Sequence, residues 1–152
     1  MADAGLRPGT ENVPAIVGFG VAARLARERL PQATKRLREL RDQLHARLIE
    51  AIPGLILNGH PDQRLPNTLH VSFPGTSGRR LLDQASQIVA ASLGSACHSE
   101  HDAVSGVLAA IGVDSVRAAG AVRLSVGTMT TPDEVSRAAS GLIEAWRTVV
   151  SL

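Results

Sequence analysis

One cysteine, Cys97, stands in the run Gly94-Ser95-Ala96-Cys97-His98-Ser99 of this 152-residue chain. A thiol acts as a nucleophile only as the thiolate, and a positively charged imidazole nearby lowers its pKa. Gly94, Ser95, Ala96 and Ser99 are small and leave a sulfur accessible, while His98 and His101 are close enough in sequence to favour the thiolate. A buried structural cysteine fits the same run, because free cysteine is among the most buried residue types. The local sequence leaves both readings open. It does not fit a metal: Cys97, His98 and His101 lack zinc-ligand spacing and a fourth ligand.

Two more positions have chemistry in their types. Arg123 lies in Val122-Arg123-Leu124-Ser125-Val126-Gly127, a charge inside an alternating strand pattern. A guanidinium there either grips a carboxylate with two parallel hydrogen bonds or rests on the wet face of a half-covered sheet. Thr10 lies in Arg7-Pro8-Gly9-Thr10-Glu11-Asn12, just before a helix. Its hydroxyl and the backbone N–H groups there suit a phosphate at a helix N-terminus, and equally an ordinary capped turn. No P-loop or dinucleotide fingerprint is present.

These residues must be positioned by something, and the hydrophobic spacing says what. Pro14 to Leu30 reads as a helix with Asn12 as N-cap, and Pro31 predicts a kink or break. A second helix over about 32–52 carries Leu37, Leu40, Leu44 and Leu48 at steps of three and four, and Pro53-Gly54 stops it. The period then changes to two. Residues 55–58 and 69–73 read as strands, followed by a short helix over 77–87, a small buried strand over 88–92 and a short helix over 104–111. A last strand covers 121–126. Thr131 and Glu134 have capping-box spacing around Pro132, opening a C-terminal helix with Val135, Ala138, Leu142, Trp146 and Val149 on its buried stripe. The expected class is α+β, a short and mostly antiparallel sheet with helices on one face, preceded by a long kinked helix.

Composition narrows the function classes. The length suits one domain with a real core. No apolar run approaches the ~20 residues of a membrane span. The N-terminal residues show no basic n-region or apolar h-region of a secretory signal, and a lone thiol fits the reducing cytoplasmic compartment. Eight Lys and Arg fall between Arg24 and Arg47 against Glu28, Glu39 and Asp42, but they interleave with Leu at helical spacing. That pattern describes a solvated helix face, and three aromatic residues are thin for stacking on bases. Neither a nucleic acid nor a membrane is the expected partner.

Taken in order, five segments carry a resemblance: Leu6-Arg7-Pro8-Gly9-Thr10-Glu11-Asn12-Val13, Leu65-Pro66-Asn67-Thr68, Gly94-Ser95-Ala96-Cys97, Arg123-Leu124-Ser125-Val126-Gly127 and Thr130-Thr131. The chain resembles the C-terminal part of the cysteine desulfurases and selenocysteine lyases of the class V aminotransferase family, which use pyridoxal phosphate. The run Ala96-Cys97-His98-Ser99-Glu100-His101 is more similar to the selenocysteine lyases. The resemblance implies the small domain of a pyridoxal-phosphate-dependent transferase-like fold, with 1–30 as a remnant of the large-domain edge and linking helix and 31–152 as the small domain. It implies that Cys97 accepts sulfur as a persulfide or assists selenium release, that Arg123 binds the substrate α-carboxylate, and that Thr10 touches the cofactor phosphate of the neighbouring subunit in a homodimer.

Departures from the pattern matter as much. In the complete enzymes the cofactor forms a Schiff base with a Lys that follows a His in the large domain, and no such pair occurs here. Lys35 is the one lysine, in an Arg/Leu amphipathic helix. Val104-Ser105-Gly106 replaces a Pro common after the cysteine run, and Thr128 stands where many desulfurases carry Arg. The expectation is therefore a chain that binds no cofactor by itself and is not competent alone. Its partners would be a large domain or companion subunit with the cofactor lysine, and a sulfur or selenium acceptor protein. The alternative is a non-catalytic small-domain module used for protein–protein contacts.

Overall fold

The computed structural model describes residues 9–94 and 105–151. The chain divides into two compact units, the first ending at Ala33 and the second beginning at Thr34. Helix α1 (Val13–Ala51) runs through both.

In the first unit, Asn12 caps α1: its Oδ1 accepts from the Ala15 N–H at 3.2 Å. Pro31 lies inside α1 without ending it, so the break that proline allowed does not occur. Proline removes one hydrogen-bond donor from the ladder, and 39 helical residues absorb that loss. The apolar side chains here are left uncovered: Ile16, Val17, Phe19 and Leu30 are all more than half exposed.

In the second unit the sheet organises everything. Strands β1 (Ile56–Leu57), β2 (Thr68–Ser72) and β3 (Ala121–Ser125) lie in the order β1-β2-β3, antiparallel throughout. The β2–β3 register pairs Leu69 with Leu124 and Val71 with Val122 on one face, and His70 with Arg123 on the other. The apolar face is covered by the second half of α1 with α2 (Gly78–Ala85) and α5 (Pro132–Val150). Leu40, Leu44 and Leu48 of α1 are buried there as the periodicity predicts, with Ile52, Leu81 and Leu142 fully buried beside them.

Local chemistry fixes the helix ends. Ser77 caps α2 by accepting from the Arg80 N–H, and Thr131 with Glu134 forms the full capping box of α5. On α5, Ala139 and Ala145 are buried, while Ala138 and Trp146 are only half-buried. The Trp146 indole N–H donates to the Pro74 carbonyl at 2.9 Å, which holds one ring edge at the rim. Gly120 has a packing reason: a Cβ there would lie 2.1 Å from the Phe73 carbonyl oxygen.

Three features differ from expectation. The strand over 88–92 is not formed. A single bridge between Ser92 and Arg123 remains, because residues 86–88 still turn out of α2. The helix expected over 104–111 is the short α3 (Gly106–Ala110), and an unexpected second turn, α4 (Ser115–Ala119), follows it under an Asp114 cap. Leu108, Val113 and Ala118 gather on Ala121, so these two short helices lie at the Ser72–Ala121 end of the sheet's other face. The basic stretch is also less solvated than its pattern suggests. Arg41 is buried, paired with Asp42 at 2.7 Å and donating to the Leu65 carbonyl, and Arg36 donates to the carbonyls of Thr128 and Thr130.

Candidate functional site

The open face of the sheet carries a polar row. Antiparallel pairing places His70 beside Arg123, Thr68 beside Ser125 and Ser72 beside Ala121, all on the side away from the leucine core. Asn58, just after β1, joins the row through its backbone N–H, which donates to the His70 carbonyl at 2.8 Å. On the far edge the Ser92 carbonyl accepts from the Arg123 N–H at 2.8 Å. Asn58, His70, Arg123 and Ser92 thus sit side by side across the sheet.

Arg123 keeps an exposed side chain in this row, and its Nη1 donates to the Gly94 carbonyl at 2.8 Å. No carboxylate among the described residues pairs with it. A strand arginine that is anchored at one nitrogen and open at the others is pre-oriented for an incoming carboxylate.

Behind Arg123 lies a closed network. Arg117 of α4 donates from Nε to Asn58 Oδ1 at 2.9 Å and from Nη2 to the Leu57 carbonyl at 2.7 Å. The Asn58 amide is 2.9 Å from Ser72 Oγ and 3.0 Å from His70 Nδ1. Burial, and then the Arg123 charge, hold His70 below the ordinary imidazole range. Its ring is neutral at neutral pH.

Of the residues singled out from sequence, Arg123 alone lies in this row. Cys97, with His98 and His101, lies outside the described residues. Thr10 is exposed just ahead of α1 in the first unit, and Lys35 is exposed on α1 in the second. Asn58, His70 and Arg117 were not singled out. Their signal was faint: His70 is the polar partner in the alternation Leu69-His70-Val71-Ser72, and Asn58 ends a strand before Gly59. A cavity of about 640 Å³ lies elsewhere, among Leu44, Val89, Leu124, Val126, Met129 and Val135, and none of the predicted site residues lines it. Among the described residues no cluster of His, Cys, Asp and Glu is arranged to hold a metal, and no helix is long and apolar enough to cross a membrane.

The sequence model of the family described as Aminotransferase class-V matches residues 1–138. Cysteine desulfurase IscS 1 of Archaeoglobus fulgidus is 40% identical over 154 residues, which cover 97% of this chain and 40% of that protein. Cysteine desulfurase NifS of Azotobacter vinelandii is 37% identical over 134 residues, covering 88% of this chain and 33% of that protein. The solved structure of a NifS-like protein matches with a TM-score of 0.75 at 34% identity, over 97% of this chain and 36% of the other. The chain therefore spans only a third to two-fifths of the relatives it matches. Fold, family match and identity agree, and this chain belongs to the class-V aminotransferase family as the counterpart of part of a cysteine desulfurase.

Proposed function

We propose that this chain supplies the carboxylate-binding and sulfur-handling part of a pyridoxal-phosphate-dependent cysteine desulfurase or selenocysteine lyase. It turns over only beside a large domain or companion subunit that carries the cofactor lysine. The observation that carries this reading is Arg123, exposed on the polar face, tied through Gly94 to the stem of the Cys97 run and facing no carboxylate among the described residues.

Pyridoxal phosphate supplies the electron sink that lets the substrate's carbon–sulfur bond break. The residues here do not fit its covalent attachment. Such a lysine must be desolvated so that it can be neutral, whereas Lys35 is exposed on α1 among Arg36 and Arg38. The cofactor's anchor is assigned to the region of the relatives that this chain does not span, and Thr10 is assigned to the cofactor phosphate across a homodimer. In the reaction Arg123 fixes the substrate carboxylate. The Cys97 thiolate attacks the substrate sulfur, the S–S bond of a persulfide forms as the carbon–sulfur bond breaks, and the carbon keeps that electron pair and takes up a proton, so that alanine is released. An acceptor protein then takes the sulfur, or selenium where selenocysteine is the substrate, in the cytosol.

Co-expression of this chain with the lysine-bearing N-terminal part of a full-length relative tests the reading. Alanine should form from cysteine or selenocysteine, and Cys97→Ser should abolish sulfur transfer from cysteine. Arg123→Ala should lower kcat/KM by about 10–150-fold, the range set by one charged hydrogen bond of about 1.5–3 kcal/mol. A pairing that holds stoichiometric cofactor yet gives no alanine would defeat the proposal.

A second reading, a non-catalytic contact module, draws on the uncovered Ile16, Val17, Phe19 and Leu30. Light scattering taken together with the activity of the co-expressed pair separates the two. A chain that binds itself or a partner through these residues, while the co-expressed pair stays inactive, favours the module.

A further inference from the structure

His70 and Arg123 are register partners on neighbouring strands, so their side chains leave the sheet together. What His70 offers at that place follows from its neighbours. A guanidinium has donors and no acceptor, so the atom of Asn58 that receives Arg117 Nε at 2.9 Å must be the amide oxygen. The Asn58 nitrogen then points the other way and spends its two hydrogens on Ser72 Oγ and His70 Nδ1. His70 Nδ1 is thereby an acceptor, and the neutral ring carries its proton on Nε2.

That nitrogen lies beside the backbone that Arg123 holds. A Cβ built on Gly94 would meet one neighbour within 4 Å, His70 Nε2 at 3.5 Å. Gly94 is also the residue whose carbonyl accepts from Arg123 Nη1. The two side chains converge on the same short stretch of backbone. Gly94 adopts φ +113°, a conformation that side-chain-bearing residues rarely take, and its bare Cα sets no side chain of its own against the imidazole edge. No described residue accepts from Nε2.

We propose that His70 is a second substrate-binding residue: its Nε2–H donates to a carboxylate oxygen of the small amino acid that the Arg123 guanidinium holds. The inference rests on the reading of Arg123 as the carboxylate binder. An arginine fork fixes the two carboxylate oxygens but leaves the rest of the amino acid free to turn about the carboxylate axis. A donor fixed on the adjacent strand removes that freedom and sets the direction in which the rest of the amino acid points. Arg117 and Asn58 are positioning residues in this arrangement, because they decide which ring nitrogen carries the proton.

The test is ¹⁵N NMR of the labelled full chain at neutral pH, titrated with sodium acetate against sodium chloride of equal ionic strength. Before titration His70 should show the Nε2–H tautomer. Acetate should then shift both the His70 Nε2 and the Arg123 side-chain nitrogens along one saturable curve. His70→Phe, which keeps a ring and removes the donor, should weaken acetate binding by about 10–150-fold, as expected for one hydrogen bond to a charged group, while His70→Gln should restore part of it. A proton on Nδ1, or acetate that moves Arg123 and leaves His70 unchanged, overturns the inference and spares the Arg123 reading. If neither side chain responds, the Arg123 reading fails and this inference falls with it. The tautomer and the wild-type titration need no variant, so a misfolded substitution does not blunt the test.

Discussion

Arg123 holds Gly94 twice over. Its Nη1 donates to the Gly94 carbonyl at 2.8 Å, and its backbone bridges Ser92, whose hydroxyl accepts from the Gly94 N–H at 3.1 Å. The residue proposed to bind substrate therefore also anchors the start of the run that carries Cys97. Removing the guanidinium takes away a ligand contact and an anchor together, so Arg123→Lys, which keeps the charge and loses the fork, is expected to recover only part of the lost activity. Full recovery of kcat/KM by lysine would show that charge alone is used.

Acid should weaken the fold before the carboxylates titrate. Burial is the first cause that holds both His45 and His70 below the ordinary imidazole range. In the unfolded chain each takes up a proton near pH ~6.5, whereas in the folded chain each resists until a lower pH. The unfolded state then binds more protons, so stability is fully present above about pH 6.5 and falls as the pH drops toward the folded values. Urea midpoints measured from about pH 7.5 to 5 should show this slope, and a double His45→Gln, His70→Gln variant should flatten it. An unchanged slope in the double variant would assign the acid sensitivity to other groups.

Core and surface leucine-type positions should separate cleanly. Leu48 is fully buried, so Leu48→Ala should cost about 2–5 kcal/mol, and Ile52→Val, a milder change at another fully buried site, about 0.5–1.5 kcal/mol. Phe19 is 76% exposed, and Phe19→Ala should change stability by less than about 0.5 kcal/mol. Chemical denaturation measures all three. A large loss at Phe19 would mean that this side chain is covered in solution.

The chain by itself should not retain pyridoxal phosphate. Incubated with cofactor and passed over a sizing column, it should emerge without stoichiometric absorbance, and Lys35→Ala should behave identically. Retention that disappears in Lys35→Ala would make Lys35 a cofactor anchor after all.

Cys97 is expected to react with a small thiol reagent under native conditions, since Gly94, Ser95, Ala96 and Ser99 provide no large apolar anchor around it. Labelling only after denaturation would make Cys97 a core residue and remove the support for its role as sulfur acceptor.

Much of the architecture was written in local pattern. The leucine spacing on α1, the alternation of β2 and β3 and the Thr131–Glu134 capping box depend on side chains within one or two turns of each other, and each forms where the sequence places it. The strand expected over 88–92 failed because a short apolar run becomes a strand only when a partner edge accepts its whole ladder, and β3 pairs with Ser92 alone. α4 escaped notice because five residues under an Asp cap give no helical period to read.

The site divides along the same line. Arg123 was visible because a charge in an alternating strand is conspicuous in one dimension. The row Asn58–His70–Arg123, with Arg117 beside it, was not, because its members come from four segments as far as 65 residues apart and meet only through antiparallel register and side-chain hydrogen bonds. Sequence by itself determined the amphipathic faces, the caps and the arginine. Which nitrogen of His70 carries a proton, and that it stands beside Arg123, was decided by the tertiary structure, since a tautomer is set by neighbours that no local pattern specifies.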